Sequence, residues 1–242
     1  MIDLYKGDCL EVMKEIKSGS VDAIIADPPY GTTACKWDSV IDFKLMWEQL
    51  NRIIKPNGAI VLFGSEPFSS ALRMSNIKNY KYDWIYNKTR PSGMQLAKRK
   101  PMIEHELISV FITGKLFYYP IMTPRTEKQK RFSTAVSNSK SSPLSKSVDG
   151  EKRYYKDFYP RTILKYSNGY QQKRNHPTEK PVALMEYLIK TYTNENETVL
   201  DFTMGSGSTG VACKQIRRNF IGIEQDEKYF NIANERINGT LF

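Results

Sequence analysis

The sequence predicts an α/β fold that carries one irregular, basic insert, and three observations point there. Strand-like and helix-like segments alternate from Val21 to Ile112, the rhythm that builds a mostly parallel sheet. Periodicity then lapses from 115 to 175, and a compact β-α-β-α unit follows. A chain of 242 residues has room for one sizeable core and an inserted module, whereas two full domains would crowd it. The expected organisation is therefore a first half of the main domain (1–114), an insert (115–175) and a second half (176–242).

The first buried strand is the apolar run Val21 to Ala26. It stops at Asp27-Pro28-Pro29-Tyr30-Gly31, where two successive prolines forbid helix or ladder continuation. Met46, Leu50, Ile53 and Ile54 recur at helical spacing up to Pro56-Asn57-Gly58, and a second buried strand covers Ala59 to Phe63. Residues 81–87 and 106–112 read as strands on either side of a basic loop containing Pro and Gly. Beyond the insert the pattern predicts a helix over Val182 to Tyr192 and a strand over Thr198 to Phe202. A helix from Ser208, a strand over Phe220 to Glu224 and a last helix follow.

The formal net charge of +10 is unevenly spread. Thirteen Lys or Arg and four Asp or Glu lie between Ile121 and Asn175, so the surplus is a patch rather than a background. Such a patch favours a polyanionic partner, because each cation that neutralises a phosphate releases condensed counterions. Tyr154, Tyr155, Phe158, Tyr159, Tyr166 and Tyr170 sit among those charges, with rings suited to stacking on bases or wedging into a groove. The competing reading is a solvated region in which the same rings form a small core of their own.

Composition also excludes. Cys9, Cys35 and Cys213 are odd in number and scattered, which suggests neither a disulfide framework nor a zinc site. With only His105 and His176, histidine-rich metal chemistry and most Ser-His-Asp schemes lack their raw material, so no metal is expected. No apolar run approaches the roughly 20 residues of a membrane span. The opening residues lack the basic head and apolar middle of a secretory signal, and the expected location is the cytoplasm.

Gly205-Ser206-Gly207-Ser208-Thr209-Gly210 follows the strand Val199-Leu200-Asp201 and opens a helix, the context in which a G-x-G-x-x-G pattern lets a ligand approach the backbone. Glu224, at the end of the next strand, is placed to accept hydrogen bonds from two ribose hydroxyls. A nucleoside ligand fits; so does a nicotinamide cofactor, or a glycine turn that only packs a helix on a sheet. Asp27-Pro28-Pro29-Tyr30 narrows the choice. An exocyclic amino group is a poor nucleophile because its lone pair is delocalised into the ring. The Asp27 carboxylate and the Pro28 carbonyl can each accept one N–H, turning that lone pair toward an incoming methyl, while Tyr30 stacks on the base. A base drawn from a duplex has to be flipped out, and an aromatic face offsets part of that cost. Taken in isolation, Pro-Pro after a strand is also ordinary turn chemistry.

In these motifs, and in His176-Pro177-Thr178-Glu179-Lys180-Pro181 and Gly222-Ile223-Glu224, the sequence resembles the amino-group DNA methyltransferases, in the class whose catalytic motif precedes the cofactor motif (the beta class). The resemblance spans almost the whole chain. It implies a circularly permuted, seven-stranded, Rossmann-like methyltransferase fold that binds S-adenosylmethionine, with the basic insert as target-recognition region. It further implies that Asp27, Pro28, Pro29 and Tyr30 are catalytic. Asp201, Thr203, Met204, Gly205, Ser206, Gly207, Ser208 and Thr209 would line the methionine side of the cofactor, with Asp27 adjoining. Glu224, followed by Gln225, would take the ribose. Asp8 and Cys9 would meet the adenine, and Thr178, Lys180 and Pro181 would flank the methionine. One departure stands out: the family's Asp-Pro-Phe reads Asp201-Phe202-Thr203 here, and moving an aromatic by one position along a strand swaps its face.

The resemblance implies transfer of a methyl group to N6 of a flipped adenine in double-stranded DNA. N4 of cytosine and a non-catalytic nucleic-acid-binding subunit of the same fold are the alternatives. It allows a homodimer and a cognate restriction enzyme as partners. Methylation at cytosine C5 needs a cysteine nucleophile, and none adjoins Asp-Pro-Pro-Tyr.

Overall fold

A computed structural model describes residues 1–32, 38–115, 117–134, 152–167 and 179–239. β1 (Ile2–Lys6) leads into α1 (Cys9–Glu15), whose first turn is capped by Asp8: its Oδ1 accepts from the Leu10 and Glu11 amides at 2.8 and 3.3 Å. β2 (Val21–Ala26) ends at the double proline, and α2 (Phe43–Ile53) follows, capped by Asp42. α2 turns Met46, Trp47, Leu50 and Ile53 inward along one stripe, and each buried side chain contributes roughly 1.5–3 kcal/mol. β3 (Ile54–Gly64), α3 (Phe68–Ser75), β4 (Tyr80–Ser92) and β5 (Ile103–Ile112) complete the first half. Short strands follow: β6 (Thr123–Pro124), β7 (Arg131–Thr134), β8 (Lys152–Tyr155), β9 (Asp157–Phe158) and β10 (Ile163–Lys165). The last part contains α4 (Val182–Tyr192), β11 (Thr198–Asp201), α5 (Ser208–Gln215), β12 (Asn219–Glu224) and α6 (Glu227–Gly239).

One sheet runs in the order β1-β12-β11-β2-β3-β5-β4-β10. β5 is antiparallel to both of its neighbours, and every other adjacent pair is parallel. Its strands come from both parts of the chain: β11 and β12 lie between β1 and β2, the permuted arrangement. Successive residues of β2 serve opposite faces. Ala23 and Ile25 join a core with α4, α5 and α6, while Ile24 and Ala26 join one with α1, α2 and α3. A strand buried on both sides reads as a continuous apolar run, which is why Val21 to Ala26 is visible in the sequence.

Three expectations change. The sheet has eight strands rather than seven, because β10 pairs with β4 at the edge; its three residues show no period, so the sequence reading leaves them in the insert. β3 begins at Ile54 instead of after Pro56-Asn57-Gly58. Ile54 is buried and pairs with Val21, and a register slip, with Asn57 at φ +70°, absorbs the extra residues. β1 and α3 fall outside the predicted elements.

Residues Pro120–Arg161 form a compact unit of their own, narrower than the expected insert, and the rest of the chain forms the other. Within the smaller unit β6 pairs with β9 and β7 with β8, both antiparallel. Its rings do part of what the competing reading requires. Arg125 lies 3.9 Å over the Phe158 ring, whereas Phe132 and Tyr154, 4.7 Å apart across β7–β8, are 69% and 50% exposed. Tyr170 lies outside the described residues.

Gly210, in the first turn of α5, sits where a Cβ would come within 2.4 Å of Ile237 and 2.7 Å of the Phe220 ring. Gly210→Ala should therefore lower stability by about 1–3 kcal/mol despite the better helix propensity of alanine. Thermal unfolding checks this: a Tm at or above that of the unsubstituted protein would mean that α5 can withdraw freely from the sheet.

Candidate active site

β11 and β2 lie side by side and parallel, yet β11 is followed by β12 on one flank and β2 by β3 on the other. Such a switch in strand order leaves a crevice beyond the carboxyl ends of the strands, where ligands bind in open parallel sheets. Their ladder is short, and Asp22 of β2 reinforces it by accepting from the Thr198 amide at 2.9 Å. A cavity of about 890 Å³ opens over this point. It is lined by Asp8 and Cys9, by Asp27, Pro28, Pro29 and Tyr30, by Lys180, by Asp201, Thr203, Met204, Gly205, Ser206, Ser208 and Thr209, and by Glu224 and Gln225.

Two predicted residues are not among those that line it. Gly207, at φ +83°, caps α5 and lies so close to Ala233 and Ile237 that a Cβ would meet both at 3.0 Å, so it packs α5 against α6. Pro181 is buried at the start of α4 and does not line the cavity. Thr178, with His176, Pro177 and Cys35, lies outside the described residues.

Asp27 is held on both carboxylate oxygens: the Tyr30 hydroxyl donates to Oδ1, and the Lys180 ammonium donates to Oδ2. Lys180 also meets Glu106 Oε2 at 3.1 Å, and Lys88 meets Glu106 Oε1 at 3.2 Å. Burial pushes the Asp27 carboxyl above its ordinary range, and the Lys180 charge opposes that rise. For Glu106 burial acts the same way, but two ammonium groups outweigh it and hold the carboxyl below its ordinary range. Burial lifts the Tyr30 phenol well up, so it stays a neutral donor; its ring stacks on Phe68 at 5.1 Å. Asp38 clamps the loop, accepting the Tyr30 and Gly31 amides at 2.8 Å and the Thr32 amide at 2.9 Å.

The glycine turn is fixed as firmly. Glu224 accepts the Gly205 amide at 2.9 Å and the Asp226 amide at 2.8 Å, and Arg236 of α6 joins the Ser206 carbonyl, at 2.6 Å, to Glu179, at 2.7 Å. Burial pushes the Asp201 carboxyl up to about 7, against bonds from the Thr209 hydroxyl at 2.5 Å and the Thr203 amide at 3.1 Å. The shifted aromatic has a clear outcome: Phe202 joins Leu200 in the core beside α1, α2 and α3 and also borders the cavity, and Thr203 lines the cavity next to it. Burial, with the neighbouring Asp8, pushes the Cys9 thiol up to about 12, which leaves it an uncharged contact rather than a nucleophile.

Asp38, Lys88, Glu106 and Arg236 are site residues that sequence reasoning missed. Asp38 carried the weak signal of an acid shortly after a turn; the other three are brought in only by tertiary contacts.

The N6/N4 methyltransferase family described as DNA methylase matches residues 21–235. The chain belongs to that family. Among its relatives are the type II methyltransferases M.HinfI of Haemophilus influenzae, 28% identical over 97% of this chain and 67% of that protein, and M2.LlaDCHI of Lactococcus lactis subsp. cremoris, 29% identical over 97% and 88%. The crystal structure of the M1.HpyAVI–SAM complex superposes with a TM-score of 0.64 at 31% identity, covering 98% of this chain and all of that one. The cytosine-N4-specific PvuII methyltransferase, at 15% identity and a TM-score of 0.66 over 99% of this chain and 93% of its own, shares the fold. This family member is thus a DNA methyltransferase acting on adenine N6 or cytosine N4, and its cofactor is S-adenosylmethionine. Its cavity fits that cofactor. The Thr203 and Ser208 hydroxyls are buried at the wall without a hydrogen-bond partner among the described residues, which suits a ligand rich in polar groups. No helix among the described residues is long and apolar enough to cross a membrane.

Because the fold raises the Asp201 pKa, it binds that proton more tightly than the unfolded chain does. The resulting stabilisation is complete below about pH 4 and is lost as pH rises toward 7. In Asp201→Asn, without cofactor, this loss should vanish, so the Tm difference should shift in favour of the variant between pH 5 and 8. Parallel Tm–pH curves for the two proteins would contradict it.

Proposed function

We propose that this methyltransferase transfers the methyl group to N6 of an adenine flipped out of duplex DNA. The observation that carries the reading is a partly buried carboxylate, Asp27, set at the strand switch point in the same cavity as Asp201, Glu224 and the glycine turn. The volume of about 890 Å³ is at the upper end of the ~300–1,000 Å³ usual for small-molecule sites, enough for a cofactor and a base together. Asp rather than Ser at position 27 supports adenine over cytosine.

When bound, S-adenosylmethionine supplies a methyl group on a positively charged sulfur. The protein supplies geometry and charge. With Oδ1 bonded by Tyr30 and Oδ2 by Lys180, the Asp27 carboxylate is fixed in rotation, and its remaining lone pairs can accept one amino N–H while the Pro28 carbonyl accepts the other. Asp27 is also the nearest acceptor for the proton that the nitrogen sheds. Since Phe68 covers one face of Tyr30, a flipped base would stack on the other. Both Glu224 oxygens are already oriented by backbone amides, which readies their free lone pairs for ribose hydroxyls. Asp201, carrying a proton it holds only loosely near neutrality, can answer the cationic methionine end by ionising. The type II methyltransferases among the relatives support a part in restriction-modification, with a cognate restriction enzyme as partner.

The test is incubation with unmethylated genomic DNA and labelled S-adenosylmethionine, followed by nucleoside mass spectrometry. N6-methyladenine is expected; N4-methylcytosine would correct the base, and absence of both would overturn the reading. Asp27→Ala should abolish turnover and leave cofactor affinity within a few fold, since the lost contact acts mainly in the transition state. Lys180→Met removes the charge that opposes the rise in the Asp27 pKa, and activity requires the ionised form. The acid limb of its pH–rate profile should therefore move upward. An unmoved limb would show that Lys180 does not set the ionisation of Asp27.

A further inference from the structure

The β4–β5 hairpin is a second cationic segment, distinct from the insert in sequence. From Lys88 to Ile103 the chain carries Lys88, Arg90, Lys98, Arg99 and Lys100 and no acid, and every residue from Thr89 to Pro101 is exposed. Outside this hairpin and the insert, the remainder of the chain is net acidic, so the positive charge of the main domain is concentrated here. Gly93, at φ +90°, turns the tip into a single 3-10 turn, Met94–Leu96, that leaves Met94 and Leu96 72% and 42% exposed. Apolar tips among cations are what proteins insert between base steps when they part a duplex.

Placement strengthens the case. β4 is antiparallel to β5, which is antiparallel to β3, so β4 points the same way as β2 and β11. Its carboxyl end, where the hairpin rises, is therefore on the sheet edge that carries Asp27 and Asp201. Lys88 and Ser92 line the cavity, and the Ser92 hydroxyl donates to the Ile103 carbonyl at 3.2 Å across the hairpin's base. Through Glu106 the hairpin's first lysine is joined to Lys180 and so to Asp27. A duplex that delivers a base to Asp27 has to pass its flanking phosphates over this edge.

The geometry points to the β4–β5 hairpin as a DNA-gripping arm, in which Lys98, Arg99 and Lys100 hold backbone phosphates and Met94 and Leu96 enter the duplex beside the flipped base. The assignment rests on the proposed function and names the duplex surface that serves the same cavity.

The test uses the full chain, a fluorescently labelled mixed-sequence duplex, and anisotropy over a range of salt concentrations, with S-adenosylmethionine affinity and light-scattering mass measured alongside. Neutralising three phosphate contacts in K98A/R99A/K100A should weaken duplex binding by roughly tenfold or more and reduce the slope of log K against log salt by about 2.7. Cofactor affinity should stay within about twofold, because these side chains lie outside the cavity wall. M94S/L96S should weaken binding several fold at every salt concentration with no change of slope, since it removes apolar contact and not charge. An unchanged slope in the triple variant, beside normal salt dependence in the unsubstituted protein, overturns the arm and leaves the proposed function standing. A changed mass in either variant overturns it in favour of an interface between copies. Failure of the unsubstituted protein to bind duplex DNA in a salt-dependent way would remove the DNA reading and the arm with it.

Discussion

Drawing the Asp27 carboxylate largely out of water is the constraint to which the rest of the site answers. An isolated buried charge costs several kcal/mol even after relaxation, and a carboxylate in that position would simply take up a proton. Lys180 opposes this, but it is buried too and needs more than one acceptor. Glu106 is the second acceptor, and Lys88 neutralises Glu106 in turn. The outcome is a run of alternating charges along one wall, drawn from the end of β2, the entry to α4, β5 and β4. No single element could supply it.

The same logic explains why the two halves of the sheet meet at this point. A parallel sheet leaves its strand ends unsatisfied at the carboxyl edge, and loops that leave in opposite directions cannot cover them. At the β11–β2 junction the loops are instead pinned by side chains. Asp38 gathers three amides of the Tyr30 loop, Glu224 gathers two around the glycine turn, and Arg236 bridges that turn to Glu179. Amides tied down in this way beside an open crevice are what a site needs if its groups are to be in place before the reacting molecules arrive.

What could be read in the sequence was local. Asp-Pro-Pro-Tyr and the glycine turn announce themselves because proline and glycine act on the backbone where they stand, and β2 does so because burial on both faces leaves an unbroken apolar run. The ion-pair wall could not be read, since Lys180 and Asp27 are 153 residues apart and nothing near either one names the other. Lys180 and Gly207 each make a contact that their motifs do not announce. The lysine was expected to flank the methionine, and the structure brings it to the cavity wall as a partner of Asp27. The glycine was expected beside the cofactor, and the structure uses its missing Cβ to seat α5 on α6. β10 escaped because three residues are too few to show a period.

The position of β11 has a consequence for how the protein is made. β2 leaves the ribosome early, with one flank paired to β3 and the other reserved for a strand that emerges some 170 residues later; Asp22 and Thr198, which bond across that junction, are 176 positions apart. Until then the nascent chain presents an apolar, unpaired edge of the kind that other chains can dock onto. The half that carries Asp27 is thus an adhesive intermediate while translation continues, and a product cut short before β11 would be a substrate for chaperones and proteases rather than a weakened enzyme.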